Sequence, residues 1–267
     1  MKKLIAILLS ICIMLSASSC GLIQKISREA TAPEETSAAA TGEAEVDTEP
    51  ATEATKAGST ENIADIDNYV GVCYETSVDY TDDVGNHYNA DFVIPELKLS
   101  SDDALDANDE IKKKCTKWID ESIKASKEKY SLVCKEVSYD AWLNGRILTL
   151  VTTIKIDINQ IINYMVYTFD VTTGEELEND DIAEQILKIS EDEMNEKIKT
   201  TMLNYYVDNY RMTDKNDFYY EQLGQTINED NIDDAEVYID ENGEAYIHCV
   251  IYSVAGAGSY EHLIKLD

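Results

Sequence analysis

The sequence predicts an α+β fold: antiparallel sheets with helices packed on one face, arranged as two intimately packed halves. Three observations carry this. Runs rich in Val, Ile and Tyr alternate over strand lengths and are joined by short turn-like links. Two longer stretches keep apolar residues at helical spacing, each opened by a serine ahead of an acid. Strands and helices also come in blocks rather than in strict alternation, which favours segregated layers over a doubly wound parallel sheet.

The elements follow in order. Tyr69 to Tyr80 and His87 to Leu97 are strand-like and flank the turn Asp82-Asp83-Val84-Gly85-Asn86. Ser100-Ser101-Asp102-Asp103 then opens a helix whose apolar positions are Ala104, Ile111, Cys115, Trp118, Ile119 and Ile123. Asp102, Asp103 and Asp106 suit the positive end of its dipole. Leu132 to Leu143 and Ile147 to Ile158 flank Asn144-Gly145, a pair that favours a type I′ hairpin turn. Ile161 to Val171 adds a third strand, and a short helix near Asp180 to Leu187 follows. Ser190-Glu191-Asp192-Glu193 opens a longer helix with Met194, Ile198, Met202 and Tyr205 on one face. Val237 to Ile239, the turn Glu241-Asn242-Gly243, Tyr246 to Val254 and Tyr260 to Leu266 supply the last strands.

The folded domain is expected over residues 66–267, because what precedes it reads differently. Residues 1–19 have the three parts of an export signal: Lys2 and Lys3, an apolar run from Leu4 to Leu15, and the small residues Ser16 to Ser19. The apolar run is too short for a membrane-spanning helix. Ala17-Ser18-Ser19-Cys20 is similar to a lipobox, with Ala17 where leucine is usual. A mature chain starting at Cys20 would carry a diacylglyceryl thioether and fatty acyl chains such as palmitate, holding it on the extracytoplasmic face of the cell membrane. Residues 20–65 are dominated by Ala, Thr, Glu and Ser without apolar periodicity, which predicts an acidic disordered tether reaching about 35–40 Å.

Charge narrows the partners. The chain has 22 basic and 53 acidic side chains, a net of −31; loss of residues 1–19 removes Lys2 and Lys3 and no acid, giving −33. An exterior so acidic disfavours nucleic acid and favours cationic proteins or cations. Of six cysteines, Cys73, Cys115, Cys134 and Cys249 lie in the domain, none in a close pair. Their apolar settings predict buried free thiols, with Cys115 to Cys134 the favoured pairing if a bridge forms.

No local motif supplies an active site. A metal-hydrolase site needs converging ligands, and His87, His248 and His262 include no spaced pair, although His248 and His262 fall in neighbouring strands. Neither Asp240-Glu241-Asn242-Gly243 nor Asn228 to Asp234 fits the twelve-residue calcium loop. Ser253 and Ser259 flank Ala255-Gly256-Ala257-Gly258 without a nucleophile elbow, so a tight or bulged connection is expected there. No metal or other cofactor is expected. Tyr205, Tyr206, Tyr210, Tyr219 and Tyr220 form a dense group, and Tyr206 and Tyr210, off the apolar stripe, are the candidate contact residues.

Two regions resemble a known family. Asp91-Phe92-Val93-Ile94-Pro95-Glu96-Leu97 with Asn108 and Ile111 is one. Tyr167-Thr168-Phe169-Asp170, Gly174-Glu175-Glu176-Leu177, Asp181-Ile182, Asn242-Gly243 and Ile251 through Ser259 make the other. They resemble the two halves of the extracellular domain family shared by the lysozyme-sensing anti-sigma factor RsiV and the peptidoglycan deacetylase PdaC. The resemblance implies an ectodomain scaffold that binds lysozyme or meets the cell wall. It does not extend to a sigma-factor-holding segment. Nor does it extend to a NodB-type catalytic domain, since Thr168-Phe169-Asp170 is followed by Val171 where that chemistry needs a second acid. The expectation is therefore a non-enzymatic cell-surface lipoprotein that recognises a cationic wall-active protein such as lysozyme, or a cell-wall component. The alternative is a peptidoglycan-modifying enzyme, or an accessory domain of one, in the cell envelope.

Overall fold

The computed structural model describes residues 66–157, 160–210, 216–254 and 258–267. The signal segment, Cys20, the tether and Ala255 to Ala257 lie outside the described residues.

The fold is α+β, built from two sheets with helices packed against each. The first sheet has strand order β1-β2-β3-β4-β5: β1 Val70–Thr81, β2 His87–Leu97, β3 Cys134–Asn144, β4 Ile147–Ile156 and β5 Ile161–Asp170. All neighbours are antiparallel except β2 and β3, which run parallel through Asp91↔Glu136 and Phe92↔Val137. That exception has a cause. The helix α1, Asp102–Glu128, carries the chain back along the sheet between β2 and β3, so β3 enters in the direction of β2.

The stripe Ala104, Ala107, Ile111, Cys115, Ile119, Ser122 and Ala125 buries α1 on the sheet. Two polar side chains set its position. The Asn108 amide accepts from Leu97 N at 2.8 Å and donates to Leu97 O at 2.9 Å, which ends β2. Ser122 Oγ accepts from Cys134 N at 3.0 Å, where β3 begins. The N-cap is Ser101, whose hydroxyl accepts from Ala104 N.

The hairpin between β3 and β4 forms one residue later than the Asn-Gly pair suggests. Asn144 pairs with Ile147, leaving Gly145-Arg146 as the loop, and of the two only Gly145 takes a positive φ, +61°. Glycine at the first central position is the type II′ requirement rather than the type I′ one.

The second half begins after β5 with a helical turn α2, Asn179–Asp181, that widens into a π-helical turn at Ile182–Leu187. α3 spans Glu191–Asn209, with the Ser190 hydroxyl accepting from Glu193 N. Two helices with no clear sequence signal come next, α4 Asp217–Thr226 and α5 Glu229–Asp233. The second sheet is β6 Glu236–Ile239, β7 Ala245–Tyr252 and β8 Ser259–Lys265, antiparallel throughout. One face of this sheet packs Val237, Ile239, Ile247, Cys249 and Ile251 against Met194, Ile198 and Met202 of α3. Its other face packs Tyr238 against Val151 and Val166 on the side of β4 and β5 away from α1.

Two buried-surface expectations are corrected here. Tyr206 is fully buried rather than a surface contact, its hydroxyl donating to Tyr219 O at 3.0 Å and its ring meeting Tyr219 edge-on. Tyr210 is half-buried against the Tyr206 ring. Cys115, Cys134 and Cys249 are buried free thiols, but Cys73 is exposed, because it sits at a register irregularity in the edge strand β1 between Val72 and Tyr74.

Candidate functional site

The seam between the halves is built outward from the end of β5. Asp170 is buried and ion-paired with Arg146, and its Oδ1 accepts from Thr172 N at 2.8 Å. Gly174, at φ +80°, donates to Asp170 O and reverses the chain. A side chain there would press on Ser101 at 3.1 Å, so glycine serves both the turn and the close approach of α1. Leu177 N then bonds Thr168 O at 2.7 Å, which lays Glu176 alongside β5. Asp103 of α1 accepts from Glu176 N at 3.3 Å.

One amide joins this segment to the second sheet. Asn179 Nδ2 donates to Ala235 O at 2.6 Å while its Oδ1 accepts from Val237 N at 2.8 Å. The run into β6 is thereby fixed beside the run out of β5. The result is a groove of about 530 Å³, within the usual size of small-ligand clefts. Val166, Thr168, Leu177 and Val237 are among its lining residues. Its carboxylates come from four places: Glu176, Glu178 and Asp180 after β5, Glu191 at the start of α3, Asp233 and Asp234 at the end of α5, and Glu236 in β6. Among the described residues, no lysine, arginine or histidine lines it.

Electrostatics follow from that composition. Burial pushes the Glu176 carboxyl up to about 7, and the neighbouring Glu236, Asp103, Glu178 and Glu110 push the same way. The group is therefore a much weaker acid than an ordinary carboxyl, through burial first and the crowding of like charges second. The Thr168 hydroxyl is a second sign of incompleteness. Thr149 and Thr168 are cross-strand neighbours on the same face of the sheet. Thr149 Oγ1 donates to Ile239 O at 2.8 Å across the seam. Thr168, one strand further out and only 2 % exposed, has no hydrogen-bond partner for its Oγ1.

The same trough continues toward α1 and β8 as an adjoining space of about 330 Å³, sharing Val166, Glu176 and Glu236. Here three of the acids, Glu110, Glu236 and Glu261, have cationic partners within the chain. Lys114 meets Glu110 at 2.6 Å. His248 is held between Glu236, 2.7 Å from Nδ1, and Glu261, 3.2 Å from Nε2. Glu261 also accepts from Tyr164 N at 2.5 Å, tying β8 to β5. Burial pulls the imidazole pKa down, but the bonds to the two carboxylates outweigh it and hold His248 at about 9. It is an imidazolium at neutral pH, a fixed cation rather than a base.

His262 stands opposite Cys249 and so projects from the other face of the sheet, its Nδ1 3.0 Å from the Tyr205 hydroxyl. Neighbouring strands do not bring His248 and His262 together. Asn228 to Asp234 is α5 with its Asn228 cap, and Asp240 closes the β6–β7 turn by accepting from Asn242 N and Glu244 N. Ser253 N bonds Gly258 O at 2.9 Å, closing the last connection. Among the described residues, no group of three or more His, Cys, Asp or Glu could hold a metal ion. The groove carboxylates line walls instead of converging on a point. Sequence reasoning did not single out Thr168, Glu176, Asn179 or Glu236 as site residues, because they meet only through the Asn179 clamp.

A scan against protein-family models and a search of curated proteins both find no match to the chain.

Proposed function

We propose that this is a cell-surface lipoprotein, anchored through Cys20 on the extracytoplasmic face of the membrane, whose domain of residues 66–267 binds without catalysing. Its ligand in this reading is a cationic wall-active protein such as lysozyme, or a cell-wall component. The observation that carries the reading is the seam groove, lined by seven carboxylates, of which Glu236 is paired with His248 from the adjoining space, with no cationic side chain among the described lining residues. A neutral ligand would leave that charge standing, and a cationic one relieves it. The resemblance of residues 91–97 and 167–177 to an RsiV-type ectodomain supports the same choice. Affinity capture with lysozyme tests it: retention at low ionic strength that weakens as salt screens the charges is expected. No retention at low ionic strength would remove the lysozyme version.

One observation favours the enzymatic alternative. A carboxyl held near neutrality beside other carboxylates is the arrangement acid-catalysed glycoside cleavage uses. Release of new reducing ends from purified wall fragments by the wild-type chain, and not by Glu176→Gln, would establish it.

A further inference from the structure

We infer that the seam groove is a receptor for an arginine side chain of a protein partner, with the guanidinium seated between Glu176 and Glu236 and against the Thr168 hydroxyl. The inference rests on the binding reading and gives it a contact.

Three features of the groove select this group. Its acceptors come from two segments that the Asn179 clamp sets side by side, Glu176 after β5 and Glu236 in β6, the latter also meeting His248 at 2.7 Å through one oxygen. A planar guanidinium with five donors bridges separated carboxylates, which a single ammonium does less well. Thr168 then supplies the third point. Its side chain projects from the same face of β5 as Val166, both residues line the groove, and its buried Oγ1 is without a partner. Thr149 beside it shows what a satisfied threonine on this face looks like, since the second sheet covers it. Thr168 is just as buried but has no such partner. A buried hydroxyl without a partner costs free energy, and a ligand donor is what would recover it. Finally, among the described residues no group of three or more His, Cys, Asp or Glu could hold a metal ion.

The full chain, purified in detergent, is titrated at low ionic strength with a tetra-arginine peptide, a tetra-lysine peptide, agmatine and lysozyme. Tetra-arginine is expected to bind at one site, at least about fivefold more tightly than tetra-lysine. Glu176→Gln, which removes one charge-assisted bond, weakens it by about tenfold or more. Thr168→Val weakens it by about three- to tenfold while the melting temperature stays the same or rises. The second variant separates recognition from folding, because an isosteric swap of an unpartnered hydroxyl does not harm the fold. Glu128→Gln serves as the charge control. It lies at the far end of α1, about 38 Å along the helix from Asp103 at 1.5 Å per residue. Equal weakening by Glu176→Gln and Glu128→Gln would show diffuse attraction and overturn the site. Tetra-lysine binding as tightly as tetra-arginine would overturn the guanidinium, and agmatine binding as tightly as the peptide would overturn the protein source. Lysozyme retained equally by wild type and by both groove variants would sink this inference and leave the proposed function standing. Loss of every ligand, lysozyme included, from the wild-type chain would sink both.

Discussion

The two ends of the seam are made of the same material and solve the same problem differently. At the β8 end, Glu236 and Glu261 are drawn toward an imidazolium that the chain supplies itself, His248, which buries all but 14 % of its side-chain surface between them. At the α3 end, Glu176, Glu178, Glu191 and their neighbours face one another with no counter-charge among the described lining residues, and Thr168 waits beneath them without a partner. Glu176 and Glu236 border both ends. Where the charges are matched internally, the seam is structural. Where they are not, the groove keeps negative charge that a cationic ligand would relieve.

That contrast is broken most severely at His248. Replacing it with alanine leaves Glu261 and Glu236 repelling each other at the interface, and a loss of about 3 kcal/mol in urea unfolding is expected. A loss under 0.5 kcal/mol would mean that the clamp does not hold the sheets together.

The pH dependence has a definite sign. The folded pKa of His248, about 9, lies above the ordinary 6.5, so its contribution is complete below about pH 6.5 and disappears as pH rises through 9. The advantage of wild type over His248→Ala should shrink by about 2 kcal/mol between pH 7 and pH 10. A constant difference across that range contradicts a charged imidazole.

The threonine pair sharpens the comparison with a smaller effect. Thr149→Val strands the Ile239 carbonyl and should cost about 1–2 kcal/mol. Thr168→Val, its cross-strand neighbour, should be neutral or stabilise by up to about 1 kcal/mol. Calorimetric melting of the two variants checks the pair, and equal destabilisation would mean that Thr168 has a partner in the fold.

Much of the architecture was legible because local chemistry wrote it. Ser190 before Glu193, the spacing Ile111-Cys115-Ile119 and the glycine at 145 each fix an element within a few residues. Pairing over long separations was not. The parallel contact between β2 and β3 depends on where α1 delivers the chain, which no window of sequence contains. The stripe on α3 shows how one missing helix misplaces a residue. From Met202, both three and four positions onward are helical neighbours, so Tyr205 and Tyr206 fit the spacing equally well. The structure buries Tyr206 because Tyr219 of α4 meets it at 5.2 Å, and α4, with its run of tyrosines and Gly224, gave no helical signal. The groove was hidden differently. In a chain with 53 acids, the seven that matter look like the rest until Asn179 brings residues 176–180 against 233–237.

The central claim, that an external cation completes the groove, has a direct thermodynamic signature. Glu176 faces Asp103 and Glu110 of α1, Glu178 and Asp180 of its own segment, Glu191 of α3, Asp233 and Asp234 of α5, and Glu236 of β6. Arg146, Asp170 and Asp181 stand on its other side, and Lys114, Tyr167, His248 and Glu261 stand toward the adjoining space. A cation seated beside Glu176 favours its ionised form and expels its proton. Calorimetric titration of the full chain with tetra-arginine at pH 7, repeated in buffers with different heats of ionisation, reads that proton. The account predicts proton release on binding, lost in Glu176→Gln. Binding with the same heat in every buffer would contradict it.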